Sequence, residues 1–256
     1  MKLKKNKKNE ITFSTLQYKL LLKYFNSLNV SFRKFNDTFD SGKNIIMRHD
    51  VDFCPLRALE LAKIEKEYKV SATYFFMINT NFYNLNSKEN HEAILKILKL
   101  GHEVGLHFDA SFSNSNQNLN KKCKEEINFL ENLIKKKINI ISFHRPAKNI
   151  LILNKKIAKL DHTYMSKFTK AIDYCSDSQG VWKYNTPKDI IKNKFNKDFT
   201  LHLLTHPIWW TTPEKLNPAE KIDFHLKKKY NFFNNLAAFN CKPFSKYLKK
   251  MNKNLA

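Results

Sequence analysis

The sequence predicts an α/β fold, a parallel sheet with helices outside it that closes as a barrel. Two observations carry this reading. Short apolar runs alternate with segments of helical period along most of the chain. Charged and imidazole-bearing residues stand just past the ends of those runs, where the carboxyl ends of parallel strands form one rim. The length of 256 residues suits a single barrel domain.

Taken in order, residues 1–12 are polar and are expected to be loose. Leu16, Leu20, Leu21, Tyr24 and Leu28 recur at helical spacing and predict a helix over 14–28. Asn44–Met47 is a short buried strand running into Arg48-His49-Asp50-Val51-Asp52. Pro55 opens a helix to about Lys69, at an early position where a missing N–H costs little. Ala72–Ile78 is a second strand, and Ser87 can cap a helix that Gly101 ends. His102–His107 is the third strand, Leu119–Lys137 a long amphipathic helix, and Ile138–Phe143 the fourth strand. Asp173–Ser176 and Thr200–Thr205 follow as later strands, and 208–256 reads as helical or irregular. With no internal repeat or linker, one domain over residues 1–256 is expected.

Composition narrows the function classes. The net charge of +23 points to a surface that attracts anions, yet the lysines are scattered over nearly every polar face. That argues for biased residue usage over a nucleic-acid stripe, and no nucleic-acid motif is present. Cys54, Cys123, Cys175 and Cys241 form no C-x-x-C pair, so free thiols in a reducing compartment are expected. The basic N-terminus lacks an apolar run of signal-peptide length, and no segment reaches the length of a membrane span. The protein reads as cytoplasmic.

The chemistry gathers at the strand ends. Asp50 and Asp52 point the same way if Asp50-Val51-Asp52 is extended, and two close carboxylates repel unless a cation or proton lies between them. A pair of ordinary loop aspartates ahead of the helix is the alternative. His107 ends the third strand and is a candidate imidazole ligand. His206 ends the last strand, where an imidazole suits a proton donor. His102 and His202 read as packed residues. Trp209 and Trp210 either stack on a sugar ring or cover the barrel edge.

Six motifs in order, RHDVD (48–52), ATYFF (72–76), GHEVGLHFD (101–109), FHRP (143–146), SDSQGVW (176–182) and LLTHPIWW (203–210), resemble the polysaccharide deacetylase superfamily, carbohydrate esterase family four. More narrowly, they look like a cytoplasmic branch found with surface-polysaccharide biosynthesis. The resemblance covers roughly residues 44–210. It implies a distorted (β/α) barrel of about seven parallel strands and a divalent cation, zinc by default. The implied activity is removal of an N-acyl group, acetyl or formyl, from an amino sugar; the cytoplasmic reading and the basic charge favour one that is nucleotide- or lipid-phosphate-linked. By position, Asp50 would be the general base, Asp52 and His107 metal ligands, Arg145 the arginine that orients the base, and His206 the acid. Asp109, Asp177, Trp182, Trp209 and Trp210 would surround the substrate. One departure stands out: the usual second metal histidine, four residues after His107, is replaced by Ser111. His144 is the first choice for the third ligand and Asp109 the second. The alternative is a catalytically silent sugar-binding relative.

Overall fold

The computed structural model describes residues 13–38, 41–112, 116–183, 185–194 and 197–253; the N-terminal stretch expected to be loose lies outside them. The chain forms two compact units, Met1–Glu214 and Lys215–Ala256. In chain order the first holds α1 (Thr15–Ser27), β1 (Ser31–Phe32), β2 (Lys43–Val51), α2 (Pro55–Glu67), β3 (Ala72–Phe76), α3 (Lys88–Lys99) and β4 (Glu103–Asp109). There follow α4 (Asn116–Ile134), β5 (Ile140–His144), α5 (Lys148–Leu151), β6 (Asp161–His162), α6 (Ser166–Thr169), β7 (Asp173–Ser176), α7 (Pro187–Lys192), β8 (Phe199–Thr205) and α8 (Pro207–Trp210). The second unit holds α9 (Pro218–Asn240) and α10 (Lys242–Lys253).

Seven strands pair in the order β6-β5-β4-β3-β2-β8-β7, all parallel, and β1 adds a short parallel pairing to the first half of β2. The sheet curls into a half-barrel between end strands β6 and β7, the distorted barrel that the sequence predicts. Local chemistry at the helix starts and stops explains their boundaries. The Ser14 hydroxyl accepts from Gln17 N and caps α1. Pro55 sits at the first turn of α2. After α3, Gly101 takes a φ of +101°, the left-handed turn that ends a helix. Gly105 in β4 lies under the Phe75 ring, and a Cβ there would approach ring carbons to 2.5 Å.

Two differences from the sequence reading matter. The first strand runs through Val51, so the Arg48–Val51 segment is strand rather than strand end. β1, β6 and the short helices α5 to α8 were not anticipated, because two- to six-residue elements carry too little periodicity to register. Inside the half-barrel, Phe35, Ile46, Phe75, Ile140 and Phe168 form a buried cluster. Ile46 is two residues before Arg48 on the same face of β2, so this cluster lies directly beneath the polar rim.

Candidate functional site

Strand alternation aims Arg48 and Asp50 inward from β2, and Asp52 follows just past its end. Arg48 is fully buried and Asp50 is 3 % exposed. The guanidinium grips the carboxylate with both prongs: Nε donates to Oδ1 at 2.9 Å and an Nη donates to Oδ2 at 2.7 Å. Burial pushes the Asp50 carboxyl up, but Arg48, then His107, outweigh it and hold it below its ordinary value. Asp50 is thus an ionised, aimed carboxylate. The arginine that the resemblance assigns to this task, Arg145, is exposed with a φ of +45°. The residue on Asp50 is Arg48, which the sequence reading passed over although it shares a face with Asp50 at spacing i, i+2.

Asp52 Oδ1, His107 Nε2 and His144 Nδ1 form a nearly equilateral triangle. The carboxylate oxygen is 3.1 Å from His107 and 3.3 Å from His144, and the two nitrogens are 3.3 Å apart. Distance alone would make the first two hydrogen bonds. Direction does not, because the buried Asp52 Oδ1 receives none with acceptable geometry. Three ligand-type atoms this close together fit a cation. Tetrahedral bonds of about 2.0–2.1 Å put ligand atoms about 3.3–3.4 Å apart, close to the edges of this triangle. Among the described residues, no other three histidine, cysteine or acidic side chains gather in this way.

Neighbouring bonds set the histidine chemistry. Ser142 Oγ accepts from Arg48 at 2.5 Å and lies 3.1 Å from His107 Nδ1. A proton on Nδ1 leaves the Nε2 lone pair facing the triangle. Burial works to raise the Asp52 carboxyl, but the facing His107 and His144 imidazoles, with His206, hold it well below the carboxylate range. Burial works to lower the His144 pKa, and the Asp52 carboxylate raises it instead.

His206 follows β8 and caps α8, its ring turned by Asp177. Nδ1 lies 2.6 Å from Asp177 Oδ1, and the backbone N–H donates to Oδ2 at 3.0 Å. The Trp210 indole also donates to Oδ2, at 2.7 Å. Burial would lower the His206 pKa, but Asp177 and then the Asp52 and Asp50 charges raise it to about 9. Asp50 and His206 both border the triangle: Asp50 Oδ2 is 3.7 Å from His107 Nε2, and His206 Nε2 is 3.8 Å from Asp52 Oδ2.

The residues expected around the substrate are less closely gathered. Asp177 is fully buried and serves His206. Trp209 and Trp210 are also buried, and Trp210 packs against Phe13, Tyr18 and Trp182. That burial leaves little ring face on either for a ligand. Trp182 is half-buried against the same cluster. Asp109 accepts from Ser111 N at 2.9 Å and lines a cavity of about 510 Å³ with Asn79, Phe108 and Glu126. Ser111 itself is exposed.

Behind β2, on the opposite face, lies a second polar network. Glu65 of α2 is fully buried and accepts from Tyr18 at 2.6 Å and Tyr74 at 2.5 Å. His49 bridges it to Thr205, with 2.7 Å on each side. Thr205 precedes His206, and Tyr18 packs on Trp210, so two arms from Glu65 reach the His206–Asp177 pair. A glutamate on the apolar face of α2 was the available sequence signal for this network.

No protein-family model matches the chain, and no curated protein matches it. Solved structures of similar shape include a Streptococcus pyogenes deacetylase bound to acetate, 11 % identical, with 82 % of this chain and 86 % of that one covered at a TM-score of 0.46. A family 4 carbohydrate esterase from Bacillus anthracis is 15 % identical, with 82 % and 86 % covered at a TM-score of 0.45. A CE4-family pseudoenzyme from the same organism is 15 % identical, with 73 % and 60 % covered at a TM-score of 0.40. At such distances likeness says nothing about chemistry, which has to come from the geometry of the site itself.

Proposed function

We propose that this protein is a metal-dependent amide hydrolase that removes a small acyl group from an amino sugar. The observation that carries the reading is the Asp52–His107–His144 triangle, flanked on one side by an arginine-clamped carboxylate and on the other by an aspartate-held imidazole. A divalent cation held by Asp52, His107 and His144, zinc by ligand type, would supply Lewis acidity toward the acyl carbonyl and acidify an attacking water. Asp50, kept ionised by Arg48, takes a proton from that water as general base. His206, kept protonated by Asp177, delivers a proton from Nε2 to the departing nitrogen, so that the amine leaves rather than the water. Arg145, on the rim beside His144, remains available for substrate contact.

His144 supports hydrolysis over silent sugar binding, since it supplies the third ligand atom that Ser111 does not. The basic surface favours a phosphate-bearing amino sugar over a neutral polymer, with acetyl as the first acyl group to test and formyl the second. Acylated amino sugars, with and without a phosphate link, are offered to zinc-loaded protein while acetate or formate release is measured. Release that drops about a hundredfold or more in Asp50→Asn and His206→Ala is expected. Near-normal release in either variant would overturn the role assignment. Equal rates on neutral and phosphate-bearing substrates would overturn the substrate class.

A further inference from the structure

The second unit is dominated by exposed apolar rings set among lysines. Residues 215–253 contain ten lysines against two acidic residues. In α9, Ile222, Leu226, Tyr230, Phe233 and Ala237 fall within an arc of about 80° at 100° per residue. Leu226 is 44 % exposed, Tyr230 66 % and Phe233 55 %. Leu236, Phe232 and Phe239 widen this stripe on one side, all of them exposed. Lys229 lies within it, its ammonium 5.8 Å from the centre of the Phe233 ring, and Lys227 borders the other side. In α10, Phe244, Tyr247, Leu248 and Met251 share one face, and Lys242, Lys246, Lys249 and Lys250 share the other. Such a run of exposed aromatic rings on one helix is more than scattered surface hydrophobicity.

We propose that the α9–α10 unit docks on an anionic membrane surface. Charge selects this occupant. A second copy would set like-charged lysine clusters against each other in a chain that already carries +23, whereas acidic headgroups complement them. The chemistry of the stripe agrees: apolar rings enter the headgroup boundary while lysine stems lie along them and keep their ammonium groups wet. The mode is lying on the bilayer, since no helix among the described residues is long and apolar enough to cross one.

Because any basic protein adheres to acidic vesicles, the test separates rings from charge. Full-length protein is sedimented with vesicles of phosphatidylcholine alone or phosphatidylcholine with phosphatidylglycerol, at low and high salt. The comparison is with Leu226→Gln/Phe233→Gln/Leu236→Gln, which leaves the charge unchanged at exposed positions. Binding to the acidic vesicles that falls about tenfold or more in the triple variant is expected from the apolar area lost. As a second reading, the indole of Phe233→Trp, taken as the difference from wild type, should shift to the blue on acidic vesicles. Equal binding by the triple variant, or no shift of that indole, would overturn the proposal and leave charge alone. A wild-type dimer that the triple variant dissolves, without vesicle binding by either, would overturn it in favour of a second copy.

Discussion

Replacing Arg48 and Arg145 in parallel by Met tests which arginine serves the candidate base. Arg48 is wholly buried and makes two bonds to Asp50 and another to Ser142. Met keeps most of the volume but strands a buried carboxylate, and removing one partner of a buried pair costs about 3–5 kcal/mol. At about 2–4 °C per kcal/mol for a chain of this size, the melting temperature should drop by roughly 6–20 °C. Asp50 would then favour its protonated form, and turnover should fall about a hundredfold or more. Arg145 is exposed, so its replacement should change stability by no more than about 0.5 kcal/mol. Differential scanning calorimetry reads the first arm and acyl release the second. The reasoning fails if Arg48→Met melts like the wild type. It fails equally if turnover falls in Arg145→Met while Arg48→Met keeps it.

Three further outcomes are expected. Ser142→Ala removes the partner of His107 Nδ1 and should weaken zinc binding about 10–100-fold, read by competition with a chelator; unchanged affinity would remove Ser142 from the site. Asp177→Asn offers His206 Nδ1 an amide in place of a carboxylate and should cut turnover by about 10²–10⁴ without loss of bound metal. Burial pushes the Glu65 carboxyl up, but His49, then His102 and Tyr18, hold it below its ordinary value. Its contribution to stability is therefore present above the unfolded carboxylate pKa of about 4.3 and lost as pH falls through the lower folded value. Glu65→Gln should cost about 3 kcal/mol at neutral pH and flatten that acid limb in urea titrations; an unchanged limb would show that Glu65 does not carry it.

Much of this site was legible from local pattern alone. Alternation along a strand is a property of the backbone, so placing Asp50 and Asp52 on one face needed only the spacing i, i+2. The same rule places Arg48 on that face, whereas the family likeness points to Arg145. His107 and His206 were readable because each closes an apolar run, and strand ends converge in any parallel sheet. Sequence puts His144 ahead of Asp109 as the third ligand and leaves the two open, because reach between strands is not a local property. His144 joins His107 because the register pairs Asp109 with His144 and His107 with Ser142, and register is decided by packing across the whole sheet. Ser142 and Glu65 escaped for a related reason. An uncharged serine in an apolar strand and one glutamate in a helix acquire meaning only when folding brings their distant partners within 3 Å or so. The two tryptophans were ambiguous because stacking surface and edge packing use the same residue type, and only burial separates them. Sequence by itself determined which face each candidate side chain takes. Tertiary structure decided which of them meet, because bonds between strands depend on distances that no local spacing encodes.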